Sequence, residues 1–219
     1  MLSKFIGYIK YNSIEGVIKG YIMAKEKERL NDLDGKTWTK YSVSVWDISK
    51  TPEEEKLGHP AMFPVELCRR LIRIYTKEGD VVLDPFMGSG SVLVAAKELN
   101  RKGIGIEINP DYVKLAEDRL RWSSLDTYVK GVKSPKPLII NDDALNILKY
   151  IKPESVDLAI TSPPYWIVHK RERTADRKQP RPYSKLERDL GNIEDYDVFL
   201  NELKKIFEKV KIVLKKGKR

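Results

Sequence analysis

Short apolar runs alternate with helical stripes of apolar residues from residue 64 onward. A strand that is covered on both faces shows no polar alternation, so these runs predict buried strands. The predicted strands are residues 80–84, 102–107, 138–140 and 155–160. Apolar residues three and four positions apart predict helices around them. The predicted helices begin at Pro64, near Ser91, at Pro110, near Ala144, and at Asn192 or Asp195.

Strands that alternate with helices imply an α/β fold, with a mostly parallel sheet and helices on both faces. The clearest apolar stripe, residues 199–214, is followed by Lys215, Lys216 and Gly217, where we expect the last helix to end. A doubly wound sheet normally continues into further strands. We therefore expect the fold to be incomplete at its later, C-terminal strands.

The connecting segments carry weaker signals. Alternation over residues 41–46 favours a strand, and residues 31–35 favour a turn. Residues 51–56 are strongly charged, which predicts a solvated loop. Residues 121–137 are interpreted as a loop-rich crossover between two strands.

Composition narrows the class of partner. The 219 residues carry a net charge of +9, with 41% hydrophobic and 33% charged residues, which is typical of a globular protein with a polyanionic partner such as nucleic acid. No apolar run is long enough for a membrane span and no signal peptide is recognised, so we expect a cytoplasmic protein that does not engage a membrane. Cys68 is the single cysteine, which excludes an internal disulfide and a cysteine-based zinc site.

A diproline segment directly follows the fourth predicted strand. Residues 161–166 read Thr-Ser-Pro-Pro-Tyr-Trp, and two successive prolines can neither continue a strand nor enter a helix interior. The chain must turn stiffly at the carboxyl end of a strand, where α/β sheets bind ligands. The Ser162 hydroxyl, fixed carbonyls and flat rings suit a planar ring that bears an amine. The alternative is a stiffened loop with packed aromatic residues.

A glycine turn follows the first predicted strand. The turn Gly88-Ser89-Gly90 lets backbone approach a ligand closely, although it matches neither a full dinucleotide fingerprint nor a P-loop. Glu107 ends the second strand, where an acid commonly accepts hydrogen bonds from ribose hydroxyls. Asp143 follows the third strand and is a candidate acceptor for an adenine amine, and Asp84 is a candidate partner for a cationic amine. The alternatives are an ordinary tight turn and acids that interact with helix dipoles.

Together, residues 84–90 (Asp-Pro-Phe-Met-Gly-Ser-Gly) and 161–166 resemble the paired motifs of amino-methylating DNA methyltransferases. That resemblance covers roughly residue 41 onward. It implies a Rossmann-like class I methyltransferase fold, S-adenosylmethionine as cofactor, double-stranded DNA as substrate, and a target base that leaves the duplex to reach the enzyme. The implied division is an N-terminal segment of uncertain role, residues 1–40, and a methyltransferase domain, residues 41–219.

The resemblance also assigns roles. Segments 59–64, 106–110 and 142–145 resemble the family's methionine-enclosing, ribose-binding and adenine-binding segments. The implied catalytic residues are Ser162, Pro163, Pro164 and Tyr165. The implied cofactor-binding residues are His59, Pro60, Asp84, Pro85, Phe86, Gly88, Ser89, Gly90, Ser91, Glu107, Ile108, Asp143 and Ala144. Candidate phosphate contacts, alternatively a solvated loop, are Lys170, Arg171, Arg173, Arg177, Lys178 and Arg181. No metal is implied.

The serine form of the diproline motif favours cytosine N4 over adenine N6 within the family. Two departures leave alternatives open. The glycine turn precedes the diproline motif, and the later strands are absent, so the chain is either active alone or a part that a second polypeptide or a second copy completes. No separate target-recognition domain is recognised, and residues 1–40 and 167–190 are candidate remnants of one. The rival functions are a cofactor-binding but inactive subunit and an RNA methyltransferase.

Overall fold

A single sheet of four parallel strands organises the molecule. The computed structural model describes residues 30–58, 62–129, 134–167, 184 and 186–219, the side chains of 122–129 excepted. The strands are β1 (Val81–Asp84), β2 (Lys102–Glu107), β3 (Leu138–Asn141) and β4 (Leu158–Ala159). Their order is β3-β2-β1-β4, and all three pairings are parallel. This order is that of the first four strands of the Rossmann arrangement, so the predicted Rossmann-like fold class is confirmed.

Helices connect the strands and flank them. The described helices are α1 (Gly35–Tyr41), α2 (Pro52–Lys56), α3 (Val65–Tyr75), α4 (Ser91–Glu98), α5 (Pro110–Val129) and α6 (Tyr196–Val213). Two 3-10 helices span Ala144–Lys149 and Leu190–Asn192. No helix among these is long and apolar enough to cross a lipid bilayer.

The sheet has one hydrophobic core on each face, because successive residues of a strand point to opposite sides. Val82 of β1 packs with α3, α4 and α5, in a cluster that contains Ile72 and Leu93. Its neighbour Leu83 packs on the other face with α6 and the first 3-10 helix, in a cluster that contains Ile206. All of these aliphatic side chains are fully buried or nearly so. The prediction of helices on both faces is therefore confirmed.

Three predicted connections were wrong. Residues 42–46 form no strand, and Val45 is 84% exposed there, because no strand in the described part of the chain pairs with this segment. Pro52–Lys56 is a helix rather than a solvated loop, since Thr51 and Glu54 form a reciprocal capping box. Helix α5 continues to Val129, through much of the predicted crossover. The strand prediction failed because an alternating segment needs a partner strand, and the described residues supply none. The loop prediction failed because the capping box stabilises the first helix turn despite its charge.

The chain after α6 lies against β4, on the side away from β1. Val156 and Leu214 form a parallel bridge, and the Lys215 amide donates to the Val156 carbonyl at 2.9 Å. Further along, the Ala159 amide donates to the Arg219 carbonyl at 2.8 Å. Residues 214–219 therefore cover the backbone of this edge strand, although the described sheet contains four strands.

Candidate functional site

A cavity that is open to solvent lies at the carboxyl edge of the sheet. Its walls come from segments that follow β1, β2, β3 and β4, together with the segment before α3. The lining residues are Met62, Phe63, Asp84, Pro85, Phe86, Met87, Gly88, Ser89, Ser91, Val92, Ile106, Glu107, Ile108, Asn109, Tyr112, Asp142, Asp143, Ala144, Ser162, Pro164, Arg188, Asp189, Leu190 and Ile206. Ligands of open α/β sheets bind at this edge, so the cavity is the candidate site.

The glycine turn, residues 88–90, and the diproline corner, residues 161–166, meet across this cavity. β1 and β4 are neighbours in the sheet, so the segments that follow them leave the same edge side by side. The Thr161 hydroxyl donates to Oδ1 of Asp84 at 2.7 Å. The two motifs therefore share one cleft.

The glycine turn is fixed by its neighbours. Gly88 and Gly90 have φ angles of 51° and 80°, a left-handed conformation that favours glycine. The Gly88 amide donates to Oε2 of Glu107 at 2.8 Å, which joins the turn to the end of β2. A Cβ on Gly90 would lie 2.9 Å from Cβ of Ala116, so α5 packs directly against the turn.

Arg119 of α5 supports the same turn from behind, and sequence reasoning missed it. Its Nη1 donates to the Ser89 carbonyl at 2.6 Å, to the Ser89 hydroxyl at 3.1 Å and to the Ser91 hydroxyl at 3.2 Å. Burial lowers the pKa of this guanidinium. Nothing in the sequence distinguishes Arg119 from the other basic residues of α5, because its role depends on how that helix packs.

Two carboxyls line the cavity: Asp84, which is buried, and Glu107, which is partly buried. Burial raises the pKa of Asp84 to about 7, against the opposing effect of its hydrogen bonds from Thr161 and the Phe86 amide. Burial also raises the pKa of Glu107, although the amides of Asn109 and Gly88 donate to it. Each carboxyl is thus held by backbone or hydroxyl donors, and each retains lone pairs for a ligand, since a carboxylate has about four acceptor positions.

The acidic pair after β3 behaves differently. Asp143 caps the first 3-10 helix by accepting from the Leu145 amide. It therefore acts at a helix start, as the alternative interpretation of this acid expected. Asp142 accepts from the hydroxyl of Tyr150 and from the side-chain amide of Asn146. These two hydrogen bonds lower the pKa of Asp142, and the bond from Tyr150 has the larger effect. Both acids nevertheless line the cavity, as does Ala144.

The diproline corner is the more open wall. The hydroxyls of Ser162 and Tyr165 are 2.8 Å apart and hydrogen-bonded. The Tyr165 side chain is about half exposed. Next to it, Trp166 has a φ of 50° and packs edge-on against Tyr196 at 5.0 Å between ring centroids. The corner is therefore anchored at both ends, by Thr161 to β1 and by Trp166 to the start of α6.

Most of the predicted site residues lie in the cavity wall. Exceptions among the described residues are Gly90, Pro163 and Tyr165, which adjoin the wall without belonging to it. The predicted cofactor-binding residues His59 and Pro60 lie outside the described part of the chain. So do all six candidate phosphate contacts: Lys170, Arg171, Arg173, Arg177, Lys178 and Arg181. The roles given to all these residues stay predictions.

Sequence reasoning also missed residues that loops bring to the cavity. Arg188 and Asp189 come from the segment proposed as a recognition remnant, and Asp189 is held by the Ser184 hydroxyl and the Gly191 amide. Behind the wall, Glu54 is buried and accepts from the Val65 amide at 2.7 Å, which caps α3 from a distant element. The sequence around these residues matches no recognisable motif, so their positions near the cavity are known only from the tertiary structure.

The glycine turn and the acids at the carboxyl ends of three strands thus define a nucleotide-type ligand site at the edge of a Rossmann-like sheet. A family profile described as DNA methylase, the N6/N4 amino-methyltransferases, matches residues 8–118, which is half of the chain. The chain belongs to this DNA methylase family. The match begins within the predicted N-terminal segment, residues 1–40, and ends before the diproline motif.

Two similar relatives are bacterial type II methyltransferases. Type II methyltransferase M.HpaI of Haemophilus parainfluenzae is 43% identical over 79 residues, which is 35% of this chain and 25% of the relative. Type II methyltransferase M2.DpnII of Streptococcus pneumoniae is 46% identical over 83 residues, 37% of this chain and 31% of the relative. The chain thus spans about a quarter to a third of the length of these curated relatives.

A solved structure shows similarity over half of the chain. It is the putative DNA modification methylase TTHA0409 of Thermus thermophilus, complexed with S-adenosyl-L-methionine. The identity is 29% and the TM-score is 0.36, over 50% of this chain and 38% of that one.

Proposed function

We propose that this protein transfers a methyl group from S-adenosylmethionine to the exocyclic amine of a base in DNA, with cytosine N4 as the preferred target. The observation that carries the proposal is the shared cavity. The turn that suits the cofactor and the corner that suits an amine-bearing ring lie on neighbouring strands, joined by the bond between Thr161 and Asp84. A transfer between two bound molecules requires this proximity.

The charge of the cavity suits a cationic ligand. Among the described lining residues, five are acidic and one, Arg188, is basic. The acidic residues are Asp84, Glu107, Asp142, Asp143 and Asp189. This acidic wall belongs to a chain whose net charge is +9, so it differs in sign from the protein as a whole. S-adenosylmethionine carries a sulfonium, an ammonium and a carboxylate, so its net charge is positive, and it supplies an electrophilic methyl group when bound.

The chain's own groups divide the work of holding that ligand. Gly88 allows close approach of the ligand to the backbone, and Glu107, already fixed by the Gly88 and Asn109 amides, is oriented to accept from ribose hydroxyls. Asp143 and Ala144 provide the wall on the adenine side. Asp84 faces the cationic end. Together these groups fit the cofactor without a metal ligand set, and no group of three or more metal-binding side chains occurs in the described part of the chain.

The diproline corner binds the target base and orients its amine. An aromatic amine is a poor nucleophile because its lone pair is delocalised into the ring. We assign Ser162 and the Pro163 carbonyl as acceptors of the amine's hydrogens, which localises the lone pair on nitrogen and directs it into the cavity. The bond between Ser162 and Tyr165 leaves the serine oxygen able to accept a further hydrogen, since a hydroxyl has two lone pairs. The exposed Tyr165 ring offers a face on which an extruded base stacks.

The preference for cytosine rests on the serine. A hydroxyl is a weaker acceptor than a carboxylate, and the serine form of the motif favours cytosine N4 within the family. Adenine N6 is the alternative product. The basic residues between 170 and 181 remain the proposed phosphate contacts, and Arg188 adds a cation at the cavity wall.

The test is transfer of a labelled methyl group to duplex DNA by the full chain, followed by separation of the nucleosides. Label on N4-methylcytosine is the expected result. Label on adenine N6 alone rejects the base assignment but keeps the enzyme class. Label on structured RNA but not on duplex DNA indicates an RNA methyltransferase.

The transfer assay should be run with and without a second polypeptide, because the chain spans only part of the length of its relatives. Cofactor binding without transfer, in the absence of other proteins, supports a subunit or inactive remnant. Transfer that appears only when a second polypeptide is added supports a split enzyme. No binding of the cofactor at any pH from about 6 to about 8.5 contradicts the proposed function.

A further inference from the structure

Thr161 is the first residue of the diproline corner and has no assigned role in the chemistry above. Its hydroxyl donates to Oδ1 of Asp84 at 2.7 Å, and the Phe86 amide donates to the same oxygen at 3.1 Å. Asp84 is only 4% exposed. A hydrogen bond from a hydroxyl to a buried carboxylate is therefore the direct side-chain link between the glycine turn and the diproline corner.

The backbone beneath this link is already paired. The Ile160 amide donates to the Leu83 carbonyl at 2.9 Å, which is the last described backbone bond between the two strands on this side. Beyond that point the chains diverge, one into the glycine turn and the other into the prolines. The bond between Thr161 and Asp84 thus extends the contact between the strands by one residue, into the cavity wall.

We propose that Thr161 is a positioning residue, which holds the Asp84 carboxylate towards the cofactor and keeps the diproline corner in register with the glycine turn. This inference rests on the proposed function, because it concerns the same cleft. Both bonds described at Asp84 end on Oδ1, which leaves Oδ2 to face a cationic ligand in the cavity. Thr161 acts through Asp84, and its hydroxyl needs no contact with cofactor or base.

The role of Thr161 can be measured through the pKa of Asp84. Burial raises the pKa of Asp84 to about 7, and the Thr161 hydroxyl is the strongest opposing influence. Two other titratable groups act on or respond to this carboxyl. Glu107, at the end of β2, disfavours a second negative charge, and Cys68 of α3 has a pKa raised by burial, so it stays a thiol at neutral pH. Loss of the Thr161 donor should therefore raise the pKa of Asp84 further.

The central experiment compares Thr161→Val with Thr161→Ser in the full chain. Valine keeps the shape and removes the donor, whereas serine keeps the donor. We expect the carboxyl-carbon NMR titration of Asp84, without ligand, to move up by about one pH unit in Thr161→Val, and to stay near wild type in Thr161→Ser. This titration resolves Asp84 from Glu107.

Calorimetry of S-adenosylmethionine binding gives the second readout. At about pH 7 the dissociation constant of Thr161→Val should rise about 3-fold to 10-fold, and at about pH 8.5, where Asp84 is mostly ionised in both proteins, the difference should shrink. Thr161→Ser should bind like wild type at both pH values. A loss of affinity that is equal at every pH indicates a merely structural role and overturns the proposal.

The outcomes distinguish the proposed role of Thr161 from the proposed function. If wild type binds the cofactor and the Asp84 titration is the same in Thr161→Val, the role of Thr161 is wrong and the proposed function stands. If wild type never binds the cofactor, the proposed function fails, and an unchanged titration would still refute the effect of Thr161 on Asp84. Should Thr161→Val not fold, Asp84→Asn replaces it. Cofactor affinity that keeps the wild-type pH dependence in Asp84→Asn overturns the proposal.

Discussion

The two walls of the cavity are built in different ways. The glycine turn is buried, with Ser89 and Ser91 at 2% and 4% exposure, and it is held by Glu107 and Arg119 from other elements. The diproline corner has a half-exposed Tyr165, and its described side-chain bonds are local or to Asp84. The wall proposed for the cofactor is therefore preorganised by packing. The wall proposed for the base is stiffened mainly by its own prolines.

This difference has a functional reason. A small cofactor has one shape, so a closely packed turn can be complementary to it before binding. A base must enter from a duplex and leave again, which requires an open wall. Changes at the diproline corner should therefore affect transfer more than affinity for the cofactor, and changes at the glycine turn should affect stability and cofactor affinity first.

The largest effect is expected for Ser162→Ala. Loss of the acceptor for the amine should lower kcat/KM for methyl transfer by about 100-fold or more, with the dissociation constant of the cofactor changed less than about twofold. Ser155→Ala is the matched control, because the Ser155 hydroxyl donates to the Lys152 carbonyl away from the cavity. A Ser162→Ala protein that transfers like wild type breaks the proposed division between the two walls.

Gly90→Ala tests the packing of the glycine turn. The new Cβ would meet Ala116 at 2.9 Å in a residue whose φ is +80°. Gly79→Ala provides the control, since Gly79 has a φ of +83° and nothing lies within 4 Å of the added Cβ. We expect Gly90→Ala to lower the free energy of unfolding by about 2 kcal/mol more than Gly79→Ala, measured by denaturant titration.

Ala116→Gly, added to Gly90→Ala in a double variant, sharpens the same test. It removes the methyl group that the new Cβ would meet, so it should recover part of the stability of Gly90→Ala. The strain of the left-handed conformation would remain. Equal destabilisation by the two glycine substitutions would show that α5 does not constrain the turn.

Arg119→Met should weaken cofactor binding about 10-fold, because Ser89 and Ser91 lose a shared donor and both line the cavity. Arg121→Met, on the same helix, serves as the control, since the Arg121 side chain is 79% exposed. Binding is measured by calorimetry at about pH 8, above the pKa of Asp84. Unchanged affinity in Arg119→Met would mean that the backbone bonds of the turn suffice to hold it.

The smallest effect concerns pH. Because burial raises the pKa of Asp84 to about 7, the folded protein binds a proton that the unfolded chain has already released above its ordinary pKa of 3.8. Stability from this group is therefore present at low pH and is lost as pH rises towards 7. We expect the free energy of unfolding of wild type, relative to Asp84→Asn, to fall by about 1 kcal/mol between about pH 6 and about pH 7. A difference that stays flat or rises would place the carboxyl in a more polar setting.

Several features were predictable because their causes are local. Strand β1 begins with an unbroken apolar run, and the helix that follows Asp195 starts at a capping side chain. The two motifs at the carboxyl ends of β1 and β4 were recognisable for the same reason. The predictions for segments 41–46 and 51–56 were wrong, because alternation cannot create a strand without a partner, and a capping box outweighed charge.

The sequence by itself determined the alternation of strands and helices, the positions of the two motifs, the acid that ends β2 and the acids that follow β3. These depend on the chemistry of neighbouring residues along the chain. Only the tertiary structure decided that β1 and β4 are adjacent, that Thr161 reaches Asp84, and that Arg119 supports the glycine turn. Such contacts join residues 30 or 77 positions apart, and their energies depend on burial that no local pattern records.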